Sequence, residues 1–243
     1  MQAITIASRN HTWRRTKLLP TILSVIAGSA DVTSFLGLGL FNAHITGNLV
    51  ILAAHLVARG SADLALIISV PIFILVLGLM RLLVAGLEAL DFNSLRPLLY
   101  LQFLLLSGSY VLCIWSGHPL NPDDPGMLFA GQLGVAAMAV QTALVQLSLP
   151  GVPSTAVMTT NITRFIMDIG EISLGHDPDT MAEARRRAKH TWPVIVGFIG
   201  GASLGAACFA GMGLESLRLP AGIALIALLV TGSKNDTTGV SRA

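Results

Sequence analysis

Charge is what this chain has least of. Only 12% of its 243 residues are Asp, Glu, Lys or Arg, while 53% are hydrophobic and the mean hydropathy is +0.73. A globular domain in water carries about 25% charged residues, and one of this size has no core large enough to hide so much apolar surface. Cysteine is scarce as well. Cys113 and Cys208 lie inside apolar runs with no C-x-x-C pair, so they read as buried thiols rather than a disulfide or metal site. The six histidines show no H-x-x-x-H or H-E-x-x-H spacing, which leaves a metal site little support. Nor is there a G-x-S-x-G or a P-loop. An enzyme, a bound cofactor and a nucleic-acid partner are therefore not expected.

What the chain does have is apolar blocks, eight of them. They run from about Leu18 to Leu40, Thr46 to Ala58, Leu64 to Leu87 with Pro71 as a kink, Pro97 to Trp115, Met127 to Leu149, Thr159 to Leu174, Trp192 to Gly211, and Leu217 to Val230. This predicts an all-α fold. It is a polytopic transmembrane helix bundle, a single integral membrane domain over residues 1–243, with the lipid bilayer as its first partner. Arg14, Arg15 and Lys17 ahead of the first block, with Ala27-Gly28-Ser29-Ala30 inside it, imitate a secretory signal. The block continues through Phe35 to Phe41, so an uncleaved first helix is the simpler reading. A spanning helix needs about 20 residues at about 1.5 Å each. The first, third, fourth, fifth and seventh blocks pass. The second reaches only about 20 Å on that rise. The sixth is barely longer and holds Arg164, Asp168 and Glu171, which are costly in lipid. The eighth is also short.

The order long, broken, short, long, long occurs twice. In the first half, Asp31 to Asn48 reads DVTSFLGLGLFNAHITGN: an acid in an apolar run, glycines that break the run, and Thr46-Gly47-Asn48 opening the next block. In the second half, Pro150 and Pro153 break a run and Thr159-Thr160-Asn161 opens the next. Two short, Gly/Pro-interrupted segments at matching places point to a transporter-type site between inverted repeats, here about 18–117 and about 127–232. Basic residues favour the cytoplasmic side. With the two short segments re-entrant and six others crossing, the basic N-terminus, Arg81, Arg96, the link holding Arg185 to Lys189 and the C-terminus share one side. The acidic link with Asp123 and Asp124 takes the other. Both termini are thus expected in the cytoplasm.

Gly28, Asp31, Phe35, the Gly37/Gly39 pair, Phe41, Ala43 and Thr46-Gly47-Asn48 together resemble the YoaK-type family of bacterial inner-membrane proteins, a domain of unknown function. The segment layout is similar over the whole chain, while the specific motif is confined to this region. TAVMTTNIT, from Thr155 to Thr163, resembles the family's second motif in weaker form, with Thr160 where a Gly often follows the first Thr. The resemblance implies a multi-pass protein of the cell inner membrane and carries no activity with it.

Asp31 falls near mid-bilayer, where an ionised carboxylate needs a partner, water or a proton. It is either a proton- or cation-coupling residue or a structural acid bonded to the broken-helix backbone. Asn48, His55 and Arg59 share one stripe of the second block, and Asn161, Arg164, Asp168 and Glu171 one stripe of the sixth. These stripes read as the polar lining of a central cavity, or as the headgroup-facing side of an interfacial helix. Thr46 and Thr159 are candidate N-caps, and the free N–H groups beside them would suit an anionic or strongly polar ligand. His44 either lines the same place or is a hydrogen-bonded neighbour. Asp31, His44, Thr46, Asn48, His55, Thr159, Asn161, Arg164 and Asp168 are thus the candidate substrate-binding residues. Gly197, Gly201 and Gly205 form overlapping G-x-x-x-G spacings, a close helix contact expected inside the fold, although a second copy of the chain stays a candidate partner. Gln132, Gln141 and Gln146 share no face and are assigned no joint role. The expected function is a small secondary transporter or permease of a small polar or anionic solute. The alternative is a non-transporting membrane scaffold or regulator, with Arg185 to Lys189 as its partner or lipid contact.

Overall fold

Each apolar block becomes a helix. The elements are α1 (Gln2–Leu38), α2 (Ile45–Arg59), α3 (Leu64–Ala89), α4 (Leu95–Trp115), α5 (Pro125–Ala143), α6 (Met158–Leu174), α7 (Pro178–Met212) and α8 (Arg218–Gly232), with no strand among the described residues. A π-helical turn, Leu144–Ser148, extends α5, and a 3-10 turn, Gly213–Leu217, joins α7 to α8. The computed structural model describes residues 2–59, 63–116, 124–175 and 177–232, with side chains from Leu18 onward and without that of Arg59. Arg14, Arg15, Lys17, Asp123 and the C-terminal tail, which bear on the charge argument, lie outside these described side chains.

Two helix starts are written plainly in the sequence. Asp124 accepts a hydrogen bond from the Gly126 amide, with Pro125 in the first helical position. Asp177 accepts from the amides of Asp179 and Thr180, with Pro178 first. An acidic cap satisfies free N–H groups, and proline suits the place where no amide is needed. The second start corrects an expectation: Arg185 to Lys189 belong to the opening turns of α7, not to a link. The cap stands ahead of a run of Ala, Glu, Arg and Lys, all strong helix formers.

Five stretches are long and apolar enough to cross a membrane: Leu18–Leu38, Leu64–Ala89, Leu95–Trp115, Pro125–Ser148 and Pro178–Thr231, the last holding both α7 and α8. Ile74, Leu75, Leu82, Val111, Val196, Ile199 and Leu229 are among the large apolar side chains left on the outside. So much outward apolar surface is what a bilayer solvates.

Directions follow from specific contacts. α4 and α5 are antiparallel: Ser94 meets Ser148 at 2.8 Å, Gln102 donates to Gln141 at 2.6 Å, and Ser109 donates to the Ala130 carbonyl at 2.7 Å. α3 runs parallel to α5, since Ala65 accepts from Gln132 at 3.0 Å while Glu88 and Phe92 lie beside Leu147 and Ser148. α8 runs antiparallel to α4, with Thr231 accepting from Arg96 at one end and Leu214 and Leu217 packed near Cys113 at the other. α1 and α7 are parallel. Gly197 faces Thr21, Gly201 faces Val25, Gly205 faces Ser29, and Ser24 donates to the Val194 carbonyl at 2.6 Å. A Cβ on Gly28 or Gly201 would strike the backbone of the opposite helix, so the G-x-x-x-G spacing serves an internal contact. The long helices therefore alternate: α1, α4 and α7 point one way, and α3, α5 and α8 the other. The main pairings also come in matched sets. α1 packs on α7 as α5 packs on α3, α1 on α8 as α5 on α4, and α2 on α3 as α6 on α7. α5 is the most enclosed of the five long stretches.

Candidate functional site

The first break is folded by short-range hydrogen bonds. Gly39, at φ 73°, ends α1, its amide donating to the Phe35 carbonyl at 3.1 Å; glycine takes this left-handed conformation without steric cost. The chain then turns back on itself. Buried Asn42 accepts from the Ser34 hydroxyl at 3.1 Å, and its side chain lies against Gly134 of α5, where any Cβ would overlap it. Asp31 is buried. One of its oxygens accepts from the Ala43 amide at 2.6 Å, and the other pairs with His44 Nδ1. The acid thus holds the backbone of the break and its histidine together, meeting the need for partners inside a membrane. His44 is partly exposed and sets its ring against Phe198 of α7, centroids 5.4 Å apart. Asn48, fully buried, accepts from the Phe41 amide at 2.8 Å and donates to the Phe41 carbonyl at 2.8 Å and to the Ser69 hydroxyl at 3.2 Å.

The second break repeats this plan with different residues. After the π turn, Gly151 takes φ 82° and the chain turns back. Buried Thr155 accepts from Gln141 of α5 at 2.9 Å, and the same Gln141 amide donates to the Leu23 carbonyl of α1 at 2.9 Å. Buried Asn161 donates to the Ser154 carbonyl at 2.6 Å. The two breaks therefore dock on one helix, at Gly134 and at Gln141, about 10 Å apart along its axis at 1.5 Å per residue.

Beside the second break is a cavity of about 590 Å³ between α6 and α7, lined among others by Pro153, Thr163, Arg164, Asp168, Arg186 and His190. Buried Asp168 accepts from Arg187 Nε at 2.8 Å, and Arg187 also donates to Glu171 at 2.8 Å. The polar stripe of α6 thus faces α7, while Ile162, Ile166 and Ile169 are exposed on the other side.

The candidate residues therefore separate into groups. Asp31, His44 and Asn48 come together at the first break. Asn161 holds the second, and Arg164 and Asp168 face the adjacent cavity. His55 stands apart, paired with Asp63 Oδ2 at 2.7 Å near the far end of α2. Thr46 and Thr159 are not caps. α2 starts at Ile45 and α6 at Met158, the α6 cap position is Val157, and both threonines are exposed within the first turn. Each break is closed by its asparagine, which leaves a capping hydroxyl no role. Asn42, Gln102, Gln141, Thr155 and Arg187 were not among the expected residues. A glutamine inside an apolar block was the available signal for Gln102 and Gln141.

A family model described as "Protein of unknown function (DUF1275)" matches residues 19–230, a span that takes in both breaks, α2 to α7 whole and parts of α1 and α8. It agrees with the YoaK-type resemblance of the first break. No curated protein and no solved structure matches the chain.

Proposed function

The chain belongs to this family of unknown function, and we propose that it is a small secondary permease for a small polar or anionic solute. The observation that carries the reading is the docking of both chain breaks on α5, at Gly134 and Gln141. Interrupted helices meeting in the middle of a bundle are where transporters bind solutes. The alternating directions and matched pairings support two inverted repeats, α1 to α4 and α5 to α8. Arg96, Arg164 and Arg185 to Lys189 gather at one end of the bundle, and Asp63, Asp124 and Glu215 with Arg218 at the other. By the positive-inside rule the first end is cytoplasmic, and the family resemblance favours the inner membrane.

The docking contacts suggest how access alternates. Asn42 touches α5 at Gly134 by packing, and Thr155 holds Gln141 by a hydrogen bond. The second break is held to α5 by one such bond, worth about 1 kcal/mol, while the first must also withdraw buried Leu40 from Val135 to leave it. Opening the first admits solute from one side, and opening the second from the other. Asn48 and Asn161 keep each break intact while it moves. Buried Asp31 and partly exposed His44 form the acid–base pair on which proton coupling would act.

Proteoliposomes on a solid-supported membrane, challenged with small carboxylates, phosphate and amino acids, test the reading. At least one class should give a saturable signal that Gly134→Val and Gln141→Leu abolish in folded protein. No signal from any class, or unaltered signals in both variants, would favour the scaffold.

A further inference from the structure

We propose that the cavity between α6 and α7 binds a phosphate-type oxyanion, carried by a phospholipid headgroup or free in solution. Such a site requires no transport by the bundle. Arg164, Arg186, Arg187 and His190 line the cavity, and Asp168 is the single carboxylate among the lining residues. Arg187 pairs with that carboxylate at 2.8 Å and shares its charge with Glu171 at 2.8 Å and Glu183 at 3.7 Å, two acids outside the cavity lining. Arg164 and Arg186 have no ion pair or hydrogen bond among the described residues. They come from different helices, and both line one hollow whose acid among the described lining residues, Asp168, is paired with Arg187. Like charges so arranged repel, and an anion between them removes the repulsion. Guanidinium forks match a tetrahedral oxyanion in two-point geometry, a fit that a lysine ammonium lacks.

Depth identifies the chemistry further. On α7, Arg185, Arg186, Arg187 and Lys189 before Trp192 are charged and exposed, while Val196 and Ile199 beyond it are exposed and apolar. Exposed Trp192 marks that boundary, and tryptophan favours the membrane–water interface, where phospholipid phosphates lie. Basic hollows between helices on that side hold lipid phosphates. The cavity, about 590 Å³, is also larger than a bare phosphate requires, leaving room for an attached organic group.

The test uses the full chain in a maltoside detergent, which carries no phosphate. One arm titrates inorganic phosphate, and the other adds phosphatidylglycerol in phosphate-free buffer. Melting temperature is the readout. A saturable rise in either arm is expected; the first identifies a free anion and the second a headgroup. The R164Q/R186Q double variant should weaken the effect about tenfold or more. R185Q, whose side chain does not line the cavity, should stay within about twofold of the parent. If the double glutamine variant fails to fold, R164K/R186K keeps the charge and loses the fork, and weaker binding is again expected. A flat response in both arms, unchanged affinity in the cavity variants, or equal loss in R185Q overturns the proposal. Absence of solute transport would leave it standing, and loss of phosphate binding would leave the permease reading standing.

Discussion

Asn48 and Asn161 make the same bond: each donates its side-chain amide to the carbonyl of the residue seven places earlier, Phe41 at 2.8 Å and Ser154 at 2.6 Å. What the two halves repeat is a loop closed by an asparagine at the start of a short helix. Asn48 adds bonds to the Phe41 amide and to Ser69, whereas Asn161 adds only a weak contact with the Met158 sulfur. Asn48→Ala should therefore cost about 2–4 kcal/mol, since it leaves a part-buried amide and carbonyl unpaired, and Asn161→Ala about 1–2 kcal/mol. Unfolding of both variants in one detergent measures the difference. Equal losses would mean that the extra bonds of Asn48 contribute nothing.

Asp31 bonds the Ala43 amide through one oxygen and His44 through the other. Asparagine retains an acceptor for the amide, and alanine retains none. Asp31→Ala should lower stability by about 2–3 kcal/mol and Asp31→Asn by about 1 kcal/mol or less. Any pH dependence of solute uptake should flatten in Asp31→Asn, because the ionisable acid is gone. Uptake as pH-dependent as in the parent would remove Asp31 from the coupling role.

The α1–α7 contact depends on the absence of two side chains. Gly28→Ala and Gly201→Ala should each destabilise the fold by about 1–3 kcal/mol, since the added methyl meets backbone that cannot yield. Gly200 has open space around its Cβ position. There alanine should be neutral or stabilising by up to about 1 kcal/mol, the helix preference alone. Melting temperatures of the three variants in detergent check this, and a Gly201→Ala variant as stable as Gly200→Ala would refute the contact.

Orientation can be read with membrane-impermeant thiol reagents. A cysteine placed at Gly175 should be protected in intact cells and one at Asp124 labelled, because arginines gather at the first end of the bundle. Labelling of both positions from the same side would end the six-crossing topology.

The helices were legible because periodic apolar blocks dominate the chain, and the breaks were legible because glycine and proline cluster there. The asparagines were legible as a pair, but their action was not: a bond to a carbonyl seven residues back needs the turn to exist first. Arg187 illustrates a different limit. Asp168 and Glu171 share a stripe that sequence spacing reveals, yet their partner lies on another helix, and only the antiparallel packing of α6 on α7 unites them. Gln141 stands isolated in the sequence for the same reason, because its contacts are with α1, α4 and the second break. The charge of Arg185 to Lys189 weighs against membrane entry and so suggests a link, whereas Asp177-Pro178 signals a helix start.

The bond from Ser24 to the Val194 carbonyl joins residues 170 positions apart, and that separation has a meaning in time. A ribosome adds about 5–20 residues per second. α1 therefore enters the membrane roughly 10–30 s before its parallel partner α7 exists. Throughout that interval Gly28, Ser24 and the outward side of the first break have no helix to cover them. The nascent protein must wait beside the insertion machinery or shelter α1 against α5, which arrives earlier and contributes Gln141 to the Leu23 carbonyl. Biogenesis thus has a natural order, with α5 as the first support of α1 and α7 as the final closing piece, and truncation just before α7 should leave a chain that membrane quality-control proteases remove.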